Sequence, residues 1–190
     1  MYKNDKSKWF KLVGATTVTL GLLAQPISNE YHQAQAKDKE VVKKDPNSNK
    51  KKYKSTFEKN TKGGKLEGKS EKILKIADEE KVPALLMASI VANESDWGQS
   101  DNVEKLNNPM SVLDKKHDKF QKYKSVDEGL RAGAKVLYKK GIKKGLDTPN
   151  EVEKIYAPEN DDPTGLNKDW AKKVEKTMKE LGAKDKKASS

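Results

Sequence analysis

Glu94 closes a run, "PALLMASIVANES" (residues 83–95), in which Ser89 is the only hydroxyl between Pro83 and Ala92. On a helix starting near Pro83, Glu94 shares a stripe with Met87, Ile90 and Val91, because residues three and four apart lie on one face. Apolar neighbours and the negative end of a helix dipole both disfavour a charged carboxylate. A carboxylic acid kept protonated near neutral pH is a general acid, able to hand a proton to a departing oxygen. The plainer alternative is a solvated glutamate just past the last buried turn, with Trp97 merely closing the core.

Other chemistries lack their residues. Cysteine is absent and histidine occurs twice, at His32 and His117. There is no thiol nucleophile, and His117 alone cannot build a histidine-rich zinc site. A serine nucleophile would have to use that same histidine as its base. Asn160, Asp161 and Asp162 lack calcium-ligand spacing, and Pro163 after them reads as a turn between helices. No cofactor is implied.

The elements that must position Glu94 are helical. Ser70 is placed to cap a helix carrying Ile73, Leu74, Ile76 and Ala77, and Pro83 suits the first turn of the next. "SVDE" (125–128) and "TPNE" (148–151) have capping-box spacing. The helices that follow carry Leu130, Ala134, Leu137 and Tyr138 in one case and Val152, Ile155 and Tyr156 in the other. A last helix after Asn167 repeats Trp170, Val174, Met178 and Leu181 and stops at Gly182. Only the stretch from Phe120 to Tyr123 alternates like a strand.

Residues 1–36 run from lysines through the mildly apolar "LVGATTVTLGLLA" (12–24) to "AQA" (34–36), the order of a signal peptide cleaved after Ala36. Thirteen residues are short for a membrane span. The expected mature protein is secreted and associated with the cell wall, with no integral membrane segment after cleavage. Residues 37–64 are lysine-rich, broken by Pro46 and Gly63-Gly64, and expected to be a disordered basic linker. Residues 65–183 form the domain, and 184–190 a disordered basic tail. Of the formal charge of +11, the linker carries 10 basic and 4 acidic residues and the domain 23 and 22. The excess lies in the flanks, which argues against nucleic-acid binding by the domain; the linker suits anionic wall polymers or lipid head groups, or serves only as a solvated spacer.

"ASIVANESDWGQS", followed by "NNPMSV" and later "YAPENDDPTGLNKDWAKKV", resembles the glucosaminidase domain of bacterial peptidoglycan hydrolases, the family-73 glycoside hydrolases. The resemblance covers roughly residues 68–182. It implies a compact lysozyme-like fold, mainly α, here with a much reduced β-lobe because only "LDKKHDKFQKYK" separates Val112 from Ser125. It implies Glu94 as catalytic acid, Asn107 and Asn108 as the pair that begins the cleft wall, and Tyr156 as the opposite cleft tyrosine with a catalytic part. Pro109, Met110, Ser111 and Val112 depart from the usual continuation of the asparagine pair. The shortened lobe leaves Asp114 and Asp118 as candidates for a second carboxylate, Asp114 being taken as the catalytic one. Trp97, Tyr123 and Tyr156 can stack on sugar faces or pack in the core.

The function expected is hydrolysis of the β-1,4 bond on the reducing side of N-acetylglucosamine in peptidoglycan glycan strands. Two rivals stand beside it: a lytic transglycosylase that forms 1,6-anhydromuramoyl ends, and a non-catalytic wall-binding module.

Overall fold

The computed structural model describes residues 50–114, 119–158 and 167–183. Its elements are α1 (Lys50–Thr61), α2 (Ser70–Glu79), α3 (Ala84–Ser95), α4 (Asp101–Leu106), β1 (Leu113–Asp114), β2 (Lys119–Phe120), α5 (Val126–Lys140), a 3-10 turn (Ile142–Lys144), α6 (Pro149–Tyr156) and α7 (Trp170–Glu180). A helix apolar around its whole circumference is stable only when covered on all sides. That is the position of α3, whose Leu86 to Ala92 are all buried between α2, α4 and α7. The mainly helical architecture with a very small sheet agrees with the sequence reading.

Three local expectations change. The basic stretch ending at residue 64 contains α1, a helix of 12 residues that buries Tyr53, Phe57 and Thr61 at four-residue spacing. Its lysines cover only the outer face, so a polar composition conceals a genuine core stripe. Lys52 Nζ also reaches the carbonyl of Lys179 near the end of α7, at 3.1 Å. The domain therefore begins at or before residue 50, and a cut at residue 65 would remove part of the core. Residues 37–49, the leader at 1–36 and the tail at 184–190 lie outside the described residues.

Ser70 does not cap α2. Lys69 holds the cap position without a side-chain bond, and Ser70 is the first helical residue, 1 % exposed. Its place is taken by Glu58 of α1, which accepts from the backbone N–H of Gly68 at 2.7 Å and of Ser70 at 3.3 Å. Burial pushes the Glu58 carboxyl up, but the hydrogen bonds of Ser70 and Gly68 and the Lys54 charge outweigh it and hold the group below its ordinary value. The strand, third, is β2 at Lys119–Phe120, paired antiparallel with β1 in the register Leu113 to Phe120. Gln121 and Tyr123 leave the ladder and donate their backbone N–H groups to the carbonyls of Val112 and Leu106.

The other signals agree. Thr148 and Glu151 form a complete capping box on α6. At α5 the Ser125 hydroxyl accepts from Glu128 N–H, while Glu128 answers to Lys124 rather than Ser125. Helix α7 buries Trp170, Val174 and Met178, and Leu181 follows it, fully buried. Among the described residues no helix is long and apolar enough to cross a membrane.

Candidate active site

Glu94 is the penultimate residue of α3, and the turn after it explains why the helix ends there. Asp96, Trp97 and Gly98 take φ of 48°, 54° and 93°, three left-handed residues in succession. Ser95 holds this turn: its hydroxyl donates to the Val91 carbonyl at 2.6 Å and accepts from Gly98 N–H at 2.9 Å. Only glycine fits at 98, since a Cβ there would meet Leu66 at 2.9 Å in a conformation that side chains already disfavour.

The tryptophan bonded to the carboxylate is Trp170, not Trp97. The Trp170 indole N–H donates to Glu94 Oε1 at 2.9 Å across 76 residues of sequence. Trp170 opens α7 and is 6 % exposed. From α6, Glu153 accepts from Ala171 N–H at 3.0 Å, satisfying one of the first amides of α7. Asn167 reaches back to the carbonyl of Pro158 at 3.2 Å. Trp97 packs edge-on against Phe57 of α1, ring centres 5.9 Å apart, which is the core-closing alternative for that residue.

Tyr156, the last residue of α6, lies with its ring against Trp170, centres 5.7 Å apart and planes 29° from parallel. Its hydroxyl donates to the carbonyl of Met110. Burial, then the charge of Glu94, then Tyr123 push its pKa well above the ordinary phenol value. The hydroxyl is therefore a fixed donor, already committed to backbone. That makes Tyr156 a residue that joins the acid's indole support to the 107–112 loop, where the sequence reading gave it a catalytic part.

The asparagine pair builds that loop. Asn107 takes a left-handed φ of 53° and donates to the Tyr123 carbonyl at 3.0 Å, while its Oδ1 accepts from Lys65 Nζ at 3.2 Å. Asn108 is 0 % exposed. Its amide donates to the carbonyls of Val112 and Gln121 at 2.8 and 3.0 Å and accepts from Val112 N–H at 2.9 Å. A side chain so enclosed cannot touch a substrate, so Asn108 pins the loop to the hairpin instead. The loop lies directly on α5, where a Cβ on Gly129 would fall 2.0 Å from the Asn107 carbonyl oxygen and one on Gly133 would fall 2.4 Å from Met110 Sδ.

Tyr123 is half-buried, its hydroxyl donating to Gln121 Oε1 at 2.6 Å. Burial and then Glu128 raise its pKa. Asp114 stands half-buried on β1, opposite Lys119 across the hairpin. Asp118, His117 and Asn160 to Asp162 lie outside the described residues. The structure thus joins Glu94, Trp170, Tyr156 and the 107–112 loop in one connected set, with Trp97 on the other side of the α3 terminus. Sequence reasoning missed the parts of Trp170 and Glu153. The signal available for the first was a tryptophan inside "NKDWAKKV", which read there only as one member of a core stripe.

A carboxylate at the end of the central buried helix, bonded to an indole that stacks on Tyr156, has the parts that acid-assisted cleavage of a glycosidic bond uses. Residues 70–183 match the Glucosaminidase family, described as mannosyl-glycoprotein endo-beta-N-acetylglucosaminidase, and the chain belongs to that family. Membership supports a glycoside hydrolase, and peptidoglycan hydrolase activity in general. A comparison with curated proteins gave no match.

Proposed function

We propose that the protein is an exported peptidoglycan hydrolase that cleaves the β-1,4 bond on the reducing side of N-acetylglucosamine, with Glu94 as general acid. The observation that carries this reading is the bond from Trp170 to Glu94 Oε1. An indole N–H only donates, so the oxygen facing it must accept. The transferable proton then belongs to Oε2, and the carboxyl plane is fixed for delivery. Proton transfer to the glycosidic oxygen breaks its bond to C1, and water adds to the oxocarbenium-like centre to leave a reducing N-acetylglucosamine end. Asp114 is the proposed base for that water if the two carboxyls are about 6.5–9.5 Å apart, with inversion at C1; participation by the substrate's 2-acetamido group gives retention instead. Tyr123 and Asn107 are the proposed glycan contacts at the loop, and Trp97 is assigned to packing. Export rests on the leader at 1–36, and residues 37–64 are proposed to engage anionic wall polymers or lipid head groups, now with α1 as a folded part of that segment.

The test is mass spectrometry of the glycan ends released from purified peptidoglycan by residues 37–190. Reducing N-acetylglucosamine ends are expected. Ends of the 1,6-anhydromuramoyl type would replace hydrolysis by transglycosylation, and a lack of release with retained binding would leave a wall-binding module.

A further inference from the structure

Part of the domain's charge is paired between helices, and part is gathered in one stretch. Lys50 and Lys54 face Glu71, Lys69 and Lys72 face Asp127, and Arg131 faces Glu79 and Glu80. The stretch 132–146, "AGAKVLYKKGIKKGL", holds five lysines and no acid. Lys139, Lys143 and Lys144 are exposed and make no ion pair among the described residues; Lys135 reaches Glu80 only at 4.0 Å. Residues 65–183 carry 23 basic and 22 acidic side chains, so without these five lysines the rest of that stretch is net −4. A nearly neutral domain is therefore strongly polarised.

The carbonyls at the end of α5 account for lysines in its last turn, since cations are favoured there. They do not account for Lys135, or for Lys143 and Lys144, which lie beyond the helix on the 3-10 turn. That turn is held in place: Gly141 N–H donates to the Leu137 carbonyl, Lys144 and Leu146 N–H donate to the Gly141 carbonyl, and Ile142 packs against the core. The lysines are thus presented on a fixed frame, with Lys135 and Lys139 about 6 Å apart along the helix.

We propose that this end of α5 and the 3-10 turn form a docking surface for a flexible, base-free phosphodiester polymer. Charge complementarity selects a polyanion, whose binding releases counterions. Among the apolar residues of the patch Leu137 is buried and Val136, Tyr138, Ile142 and Leu146 are half-buried, Tyr138 and Ile142 against the core, so no fully exposed apolar side chain offers a wedge for a lipid bilayer or a platform for stacking bases. The surface continues the helix whose Gly133 seats the 107–112 loop, about 9 Å before Lys139, so a bound polymer would set the approach of the domain to a wall.

The test compares the full chain with two triple variants of equal charge change, Lys139→Gln/Lys143→Gln/Lys144→Gln on the patch and Lys154→Gln/Lys168→Gln/Lys173→Gln, exposed lysines of α6, α7 and the residues just before α7, outside both the patch and residues 37–64. Anisotropy of fluorescein-labelled poly(glycerol phosphate) is titrated over a range of salt. The patch triple should bind about tenfold more weakly near 0.1 M salt and flatten the slope of log K against log salt by about 2, from three contacts at roughly 0.7 each. It should cleave short soluble glycan fragments like wild type and keep its circular dichroism. Equal losses in the two triples would reduce the effect to net charge and overturn the proposal. Tighter binding of wild type to phosphatidylglycerol vesicles, or to a single-stranded oligonucleotide of equal charge, would overturn the choice of partner.

Discussion

Two tryptophans flank the end of α3 and are used in opposite ways. On the N-terminal side, Trp97 meets Phe57 of α1 in a T-shaped ring contact. On the C-terminal side, Trp170 presents its N–H to Glu94 and its ring face to Tyr156. The first contact closes a core, and the second orients an acid. Trp97 is the nearer to Glu94 in sequence, yet what decides the role is which helix supplies the partner. On the proposed reading, the region before the family match bears mostly on stability and α7 mostly on the placement of the acid.

That division predicts a graded series. Glu94→Gln keeps shape and removes the proton, so turnover should fall by about 10²–10⁴-fold while thermal unfolding stays close to wild type. Near-normal turnover would remove Glu94 from the chemistry and with it the meaning given to Trp170. Phe57→Ala empties a fully buried site under Trp97 and should cost about 3–5 kcal/mol by denaturant unfolding. Turnover per folded molecule should change little, and a matching collapse in turnover would show that the α1 side also shapes the acid.

Trp170→Phe keeps a ring and loses the donor. A hydrogen bond to a charged group contributes about 1.5–3 kcal/mol, so turnover should drop by roughly 10- to 100-fold. The alkaline limb of kcat/KM should move to higher pH, because a donor that favours the charged carboxylate is gone. Trp97→Phe should leave that limb in place. Equal pH profiles for the two variants would erase the distinction between them.

The smallest effect concerns Glu58. Its folded pKa is depressed, so its contribution is complete above the ordinary carboxylate value and is lost as pH falls through the folded value. Glu58→Gln should be less stable than wild type at neutral pH, and the two unfolding curves should converge in acid below about pH 4. A gap that persists at low pH would mean that Glu58 holds α2 through shape rather than charge.

Much of the fold was legible because its signals are local. The all-apolar α3, the Thr148 box and the Trp170–Val174–Met178 stripe each speak within a few residues. Helix α1 was not legible, because three buried positions among lysines leave the mean composition of a linker. The Ser70 cap was overridden by a carboxylate 12 residues earlier, and no local rule can see such a partner. The place of Glu94 at the end of the buried helix was readable from its stripe. Asn108 was legible as part of the pair at the cleft wall, but not its turn into its own loop, since spacing cannot tell a side chain facing ligand from one facing backbone. Trp170 depended on a contact 76 residues away.

The bond from Lys52 on the first described helix to Lys179 on the last spans 127 residues of sequence. It brings the entry and exit of the domain to neighbouring points, so the fold hangs from its flanks like a pendant on a single clasp. A chain closed between residues 183 and 50 by a short linker and reopened elsewhere should find the same core. The domain is equally suited to insertion within a host loop, because its two ends would ask that loop to span little distance.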